Sequence, residues 1–192
     1  MNKILTAVSD TSPLIWLAKV GKISLLKNLF REVIIPQEVY VEAVDRGLKH
    51  GFSDALAIKE CISDGWIKVA SLDSSAQSLI RKIVENAPEI HLADAQAIVL
   101  ARETKALLLM DESTGRVFAE AWGIKTKGTV YVIMSALRGG HIDKDEAKGI
   151  VLKMVSKGFR LEPNLMARLI IEIEHTTQFS ENTPPQGRRH RL

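Results

Sequence analysis

The segment Ala106-Leu107-Leu108-Leu109-Met110-Asp111 is the most apolar run of the chain and stops at a carboxylate. A short run of this kind predicts a strand over Ala106–Met110 that is buried on both faces, as the strands of parallel sheets are. Other β-rich runs, separated by helical patterns, span Ile4–Val8, Val33–Ile35, Trp66–Val69 and Ile124–Lys127. Because strands that alternate with helices form parallel sheets through right-handed crossovers, the sequence predicts an α/β fold with a central, mainly parallel sheet.

The composition fits one compact domain with a short appendage. Hydrophobic residues make up 46% and charged residues 26% of the 192, which excludes collagenous, low-complexity and wholly disordered chains. The net charge is +3, from 26 basic and 23 acidic residues, and a cluster of arginines near the C-terminus supplies much of it. The body of the chain is therefore almost neutral, which argues against a polybasic protein that coats nucleic acid.

Three segments are expected along the chain. Residues 1–160 form the folded body, residues 161–174 a helical extension, and residues 175–192, with two prolines and the arginine cluster, a disordered basic tail. The single cysteine, Cys61, excludes an intrachain disulfide and a cysteine-based zinc cluster. No uninterrupted apolar run reaches the ~18 residues typical of a membrane-spanning helix, so we expect a soluble, cytoplasmic protein with no membrane partner.

Carboxylates follow two of the predicted strands. Asp10 closes the first strand and Asp111 closes the buried strand Ala106–Met110. In open parallel sheets ligands bind beyond the carboxyl ends of the strands, where two buried carboxylates are costly unless a cation compensates them. For each aspartate alone, a cap of the following helix is the better explanation. Taken together, they favour a functional site.

Further acids lie in helices that begin near the same edge. Asp94 lies in the first turns of the helix that precedes the buried strand, among alanines and apolar residues, where a partner for the helix dipole is the simpler alternative. Glu42 lies six residues past Pro36, on the helix that follows the second strand. Glu38 is one turn before Glu42 on the same helix face, and it competes with Glu42 for any functional role.

Three segments carry a resemblance to a known family. They are Val8-Ser9-Asp10-Thr11-Ser12-Pro13-Leu14-Ile15, Val33-Ile34-Ile35-Pro36-Gln37-Glu38-Val39-Tyr40-Val41-Glu42 and Leu107-Leu108-Leu109-Met110-Asp111-Glu112. In this order they resemble the PIN domain, and within it the branch that opens with an (N/D)TSPL signature and is similar to VapC-type toxins. The resemblance covers roughly residues 3–160. It implies a three-layer α/β/α sandwich and a ribonuclease that depends on Mg²⁺ or Mn²⁺, with an RNA substrate, a cognate antitoxin protein and a homodimer.

The resemblance also assigns roles to individual acids. Its catalytic quartet falls on Asp10, Glu42, Asp94 and Asp111, of which Asp10, Asp94 and Asp111 are the expected metal ligands. Glu42 matches the glutamate of the family's P-x-x-V-x-x-E helix. The sequence departs from the family pattern at Ala93, where glycine is usual, and at Met110, where threonine or serine is common; neither change removes a carboxylate.

Neighbouring polar residues are candidates for a supporting role. Thr11 and Ser12 can hydrogen-bond a metal-bound water or a phosphate at a helix start, and capping that helix is an equally good explanation of both. Glu112 is a candidate fifth acid, although a solvent-facing glutamate in a first helical turn fits it as well. Arg116 lies one turn beyond Asp111, where it can meet a phosphate or pair with a carboxylate.

The chemistry of phosphodiester hydrolysis explains why acids matter here. The reaction needs an activated water and a way to offset charge in the transition state, and divalent cations held by oxygen ligands supply both. One alternative is a PIN-fold nucleic-acid-binding or scaffold protein with little catalysis. Another is an aspartyl-phosphate enzyme or receiver-like signalling domain, but Asp10-Thr11-Ser12 lacks the paired acid that such proteins need.

Overall fold

A computed structural model describes residues 6–177. Within them, five parallel strands form one sheet in the order β3-β2-β1-β4-β5. The strands are β1 (Thr6–Ser9), β2 (Glu32–Pro36), β3 (Ile67–Ala70), β4 (Leu107–Leu109) and β5 (Thr126–Lys127). The predicted α/β fold with a parallel sheet is therefore confirmed. Residues 4 and 5 of the first predicted strand, and residues 178–192 of the predicted tail, lie outside the described residues.

Helices connect and follow the strands. They are α1 (Thr11–Lys19), α2 (Ser24–Leu29), α3 (Gln37–Tyr40), a π-helical turn (Val41–Arg46), α4 (Gly47–Lys49), α5 (Ser53–Ser63), α6 (Ser74–Asn86), α7 (Leu92–Thr104), α8 (Ser113–Ala121), α9 (Thr129–Arg138), α10 (Lys144–Ser156) and α11 (Pro163–His175). The sequence patterns did not indicate α2, which is too short to show a helical period, or the π-helical turn. None of the helices in residues 6–177 combines the length and apolarity needed to cross a membrane.

The helices cover the sheet on both faces. Side chains of the central strands alternate between two apolar cores, as the period of two in a strand requires. Val8 and Leu108 pack on the face covered by α6, α7 and α8, whereas Ala7 and Leu109 pack on the face covered by α1, α2, α5, α9 and α10. The fold is thus the predicted three-layer α/β/α sandwich. Leu169 and Ile173 of α11 are buried in the second of these cores.

The order of the strands creates a crevice at one end of the sheet. From β1 the chain moves outward to β2 and β3, then returns to the other side of β1 with β4 and β5. Strand order therefore reverses between β1 and β4, and the crevice beyond their carboxyl ends is where such sheets bind ligands. The backbone N–H of Asp10 donates to the carbonyl of Leu109 over 2.8 Å, which ties the two strand ends together.

Candidate active site

A cavity of about 1060 Å³ opens beyond the carboxyl ends of β1 and β4. All four acids of the predicted quartet line it: Asp10, Glu42, Asp94 and Asp111. The expected supporting residues Thr11, Ser12, Glu112 and Arg116 line it as well. Glu38 does not contribute to the lining. The fold thus brings together side chains from β1 to α8 that are up to about a hundred positions apart in the sequence.

Asp10 lies at the bottom of the cavity, between the end of β1 and the start of α1. Its side chain is buried, and its Oδ1 has no hydrogen-bond partner among residues 6–177. Burial, reinforced by the negative charges of Asp94 and Glu42, raises the pKa of Asp10 to about 7, although the backbone N–H groups that follow it act in the opposite direction. A buried carboxylate with a free oxygen attracts a cation strongly.

Asp111 is held in a cradle at the start of α9. Its Oδ1 accepts from the backbone N–H of Thr129 over 2.7 Å, and its Oδ2 accepts from the hydroxyls of Thr129 and Ser12 over 2.6 and 3.1 Å. At Gly128 a Cβ atom would come within 2.7 Å of Oδ1. Asp111 therefore does not cap the helix that immediately follows it. Its charge is fixed at a helix N-terminus, which stabilises an anion.

The residues of the cradle on α9 were not found from the sequence. Thr129 is fully buried although it is polar, and Gly128 precedes it at the end of a very short strand. A Gly-Thr pair that opens an apolar helix is a usable signal, because such a helix start offers free N–H groups to an acid. The pairing itself joins positions 111 and 129 and follows only from the fold.

Glu42 reaches the cavity from the π-helical turn. Its Oε2 accepts from the Thr11 hydroxyl over 2.9 Å, and its Oε1 pairs with Arg46 over 3.2 Å. The second nitrogen of Arg46 pairs with Glu38 over 2.8 Å. The structure therefore directs Glu42 towards Asp10 and leaves Glu38 bound to the arginine. π-helical turns within α-helices are frequent at functional sites.

The hydroxyls of Thr11 and Ser12 do not cap α1. Thr11 donates to Glu42 and Ser12 to Asp111, while Asp10 occupies the position before the first helical residue. The two hydroxyls thus connect the carboxylates on either side of Asp10. The capping alternative for Thr11 and Ser12 is wrong, because α1 already begins at Thr11 and both residues lie in its first turn.

Asp94 lies in the first turn of α7 and is buried. Its Oδ2 accepts from the backbone N–H of His91 over 3.1 Å, so it also closes the start of its own helix. Burial and the charges of Glu112 and Glu42 raise the pKa of Asp94, while His91 opposes this shift. Two positions on, the Gln96 side chain accepts from the backbone N–H of Glu38 over 3.0 Å and so joins α7 to α3. Gln96 was not predicted from the sequence, although a polar residue among the apolar residues of α7 indicates a buried hydrogen bond.

Glu112 and Arg116 are engaged by their own surroundings. The Glu112 carboxylate accepts from the backbone N–H of Gly115 over 2.6 Å and caps α8. Burial works to raise the pKa of Glu112, but the hydrogen bonds from Gly115 and Thr114 outweigh it and hold the pKa below its usual value. Arg116 contacts the Thr126 hydroxyl over 3.4 Å and Glu120 over 3.9 Å. Both side chains nevertheless line the cavity.

The donor set suits a hard divalent cation. All four acids offer carboxylate oxygens, which Mg²⁺ and Mn²⁺ prefer, and the free oxygen of buried Asp10 together with its raised pKa indicates negative charge that lacks compensation. In residues 6–177 no three His, Cys, Asp or Glu side chains are already close enough to hold one ion. Protein donors instead hold Asp111, Glu42 and Asp94 in place around the cavity.

Comparison with known proteins agrees with this picture. A family model described as PIN domain matches residues 6–175. A PilT N-terminus domain protein from the hyperthermophilic archaeon Sulfolobus solfataricus P2 is similar in structure, with 18% sequence identity and a TM-score of 0.45 over 69% of this chain and 94% of that chain. No curated protein matches the sequence. PIN domains are generally nucleases and typically use divalent metals. Since the family match extends over nearly all of the described residues, the chain belongs to the PIN-domain family.

Proposed function

We propose that this protein is an endoribonuclease that hydrolyses phosphodiester bonds with the help of Mg²⁺ or Mn²⁺. One observation carries the proposal: four carboxylates from separate elements line one cavity, and one of them, Asp10, is buried with a free oxygen. An acid with a merely structural role is neutralised by a lysine or an arginine, as Glu32 is by Lys68. Asp10 has no such partner among residues 6–177.

Asp10, Asp94 and Asp111 are the residues that would hold the metal. When bound, a divalent cation in this position supplies an activated water and offsets the charge that develops on the phosphate. Thr129 and Ser12 hold the Asp111 carboxylate in one orientation, and Thr11 orients Glu42 towards the same point. Such fixed carboxylates need little reorganisation during the reaction. Because Asp10 must lose its proton to attract a cation, activity should rise with pH through about 7.

We further propose an RNA substrate, a homodimer, and a role as the toxin of a type II toxin–antitoxin pair in the cytoplasm. The resemblance to VapC-type toxins supports these partners. The acidic cavity supports inhibition by an antitoxin, because an inserted arginine guanidinium would pair with the carboxylates that hold the metal. The single cysteine, Cys61, is free, as is usual in reducing compartments.

Cleavage of a labelled RNA by the purified full-length chain tests the nuclease proposal. Mg²⁺ or Mn²⁺ should support cleavage, and EDTA should abolish it. Asp10→Asn keeps the shape of the side chain and removes its charge, so this variant should lose at least a thousandfold in rate. Asp145→Asn is the matched control, because Asp145 is exposed on α10 and lies outside the cavity.

Two results would contradict the nuclease. One is an Asp10→Asn protein that cleaves as fast as the unaltered chain. The other is a well-folded chain that binds RNA tightly but releases no product with any divalent cation. The second result would favour the alternative of a PIN-fold binding protein with little catalysis.

A further inference from the structure

The cavity continues well beyond the carboxylates. It runs along α1 and α9 to the connection between α10 and α11, and then along α11 itself. We call this second part the cationic arm; it is defined by Trp16, Lys127, Tyr131, Phe159, Arg160 and Arg168. None of the quartet acids lies in it. None of its residues belongs to the motifs that carry the family resemblance, although Trp16 directly follows the first of them.

The cations of the arm lack acidic partners. Arg160 and Arg168 are exposed, and neither makes an ion pair or a side-chain hydrogen bond within residues 6–177. Arg116 and Arg138, which line the same cavity, are paired with Glu120 and Glu172. Unpaired cations that face one groove create a positive potential there, which favours a polyanion over a neutral or cationic ligand.

The aromatic rings of the arm are half-buried, and two of the three have a lysine ammonium over the ring. Tyr131 packs against the core, and the Lys127 ammonium lies 5.3 Å from its ring centroid. Trp16 meets Phe159 edge-on with centroids 5.3 Å apart, and the Lys19 ammonium lies 4.9 Å from the indole ring. Anchored rings beside lysines are the arrangement that single-stranded nucleic acid uses, because bases stack on rings and phosphates meet the cations.

The arm is joined directly to the acidic end of the cavity. Lys127 and Tyr131 flank Gly128 and Thr129, which form the cradle of Asp111. A strand whose phosphate lies at the carboxylates therefore has its next nucleotides beside Lys127 and Tyr131. The carboxylates repel a polyanion, so attraction has to come from another part of the same groove.

We propose that the cationic arm binds an unpaired nucleic-acid segment, with bases on Tyr131 and Trp16 and phosphates on Lys127, Arg160 and Arg168. The arm is a binding site separate from the carboxylates. This proposal rests on the proposed ribonuclease function and adds to it the path that the substrate strand takes away from the cleavage site. A duplex fits the arm poorly, since its bases are already stacked and cannot reach the rings.

Fluorescence anisotropy with a labelled single-stranded RNA measures the affinity of the protein for RNA without requiring cleavage. The titration uses full-length Asp10→Asn protein in Mg²⁺, at several salt concentrations. Adding Arg160→Ala and Arg168→Ala should weaken binding by about tenfold. The plot of log affinity against log salt, which slopes downwards, should become shallower by about 1.4, since each phosphate contact on a single strand contributes about 0.7. Adding Tyr131→Leu keeps an apolar side chain and should weaken binding by at least about fivefold without changing the slope.

A control variant with Lys59→Ala and Arg81→Ala removes two exposed cations that do not line the cavity, and it should bind within about twofold of its parent. An unchanged affinity and slope in the Arg160/Arg168 variant would overturn the proposal, as would equal affinity for duplex and single strand. Loss of binding to a copurifying protein, with RNA affinity unchanged, would overturn it too and assign the groove to a protein partner.

The outcomes for the arm and for the nuclease are distinguishable. If the nuclease proposal fails, the unaltered chain releases no product, yet the binding differences between arm variants remain. If the arm proposal fails, the unaltered chain cleaves RNA and the arm variants bind like their parent. In an active nuclease, the arm variants should raise KM several-fold and leave the single-turnover rate at saturating RNA unchanged.

Discussion

The two ends of the cavity differ in how completely the protein satisfies its own charges. At the acidic end the carboxylates beside Asp10 are held in place, since Asp111 receives three hydrogen bonds and Glu42 is held by a threonine and an arginine. Only Asp10 keeps a free carboxylate oxygen among the buried side chains of residues 6–177. In the cationic arm Arg160 and Arg168 have no acidic partner among residues 6–177. The first end is preorganised and suits chemistry that depends on fixed carboxylates. The second end has no fixed internal partners and suits reversible attraction of a polyanion.

After the loss of Asp10 itself, disturbing the cradle of Asp111 should have the largest effect on cleavage. In Gly128→Ala the new Cβ would lie 2.7 Å from the carboxylate, which must turn away and lose its bonds to Thr129. Because the backbone at Gly128 is extended, alanine fits there without strain, so the damage falls on the site and not on folding. We expect a loss of about a hundredfold in single-turnover cleavage, comparable to the loss of one preorganised contact.

Gly149→Ala is the matched control for this substitution. A Cβ at Gly149 meets nothing within 4 Å, and alanine favours the interior of α10 by about 0.5–1 kcal/mol. The control should therefore keep full activity and unfold at a slightly higher temperature. If Gly128→Ala also keeps full activity, the acidic end is not preorganised in the way described, and the contrast between the two ends is lost.

The acidic end should also destabilise the metal-free protein as pH rises. Asp10 has a pKa of about 7 in the folded chain and 3.8 as its ordinary value, so the folded state holds a proton that the unfolded state releases. The free energy of unfolding therefore falls between about pH 4 and pH 7 and is level above that. Asp10→Asn removes this pH-dependent contribution, and its stability relative to the unaltered chain should rise by about 4 kcal/mol from pH 4 to pH 8.

Urea unfolding of both proteins at the two pH values, without metal, measures this difference. Adding Mn²⁺ at pH 8 should stabilise the unaltered chain and leave Asp10→Asn nearly unaffected, because a cation that binds only the folded state raises its stability. A difference between the two proteins that is the same at pH 4 and pH 8 would show that Asp10 does not carry the uncompensated charge.

The sequence was most informative about the acidic end. A strand that ends in an aspartate places that aspartate at a known edge of a parallel sheet, so Asp10 and Asp111 could be located from local pattern and chain order alone. Glu42 needed the resemblance, because its π-helical turn alters the helical period and leaves Glu38 an equal candidate from spacing. Thr129 and Gln96 were missed because their partners are distant in the sequence.

The cationic arm was almost invisible in the sequence, for a physical reason. Its cations come from β5, from the connection after α10 and from α11, and none of these positions shares a motif or a helical period. Surface lysines and arginines are common, so a single one carries no signal. What distinguishes Arg160 and Arg168 is that they line the cavity of the carboxylates without an acidic partner among residues 6–177, which only the fold reveals.

Removing one hydroxyl that supports the acidic end should have an intermediate effect. Thr11→Val keeps the shape of the side chain and deletes the hydrogen bond to Glu42. We expect single-turnover cleavage to fall by about tenfold with KM unchanged, because one neutral-donor hydrogen bond to a charged group is lost. The control is Thr104→Val, whose hydroxyl bonds a backbone carbonyl of α7 outside the cavity. A rise in KM alone would indicate that Thr11 contacts the substrate instead.

The smallest effect is expected from deleting residues 178–192, which carry Arg188, Arg189 and Arg191 against one glutamate. Removing this net charge of +2 should weaken RNA binding by a few-fold at low salt, and the difference should vanish at about 0.3 M salt, where screening is strong. The single-turnover rate at saturating RNA should stay the same, since all the carboxylates of the candidate active site precede residue 113. The measurement compares full-length and truncated proteins side by side, with circular dichroism to confirm that both are folded. A large loss of rate in a folded truncated protein would mean that the acidic end depends on a segment outside residues 6–177. The two ends of the cavity would then not account for the whole site, and the expected boundary of the folded body would have to move towards the C-terminus.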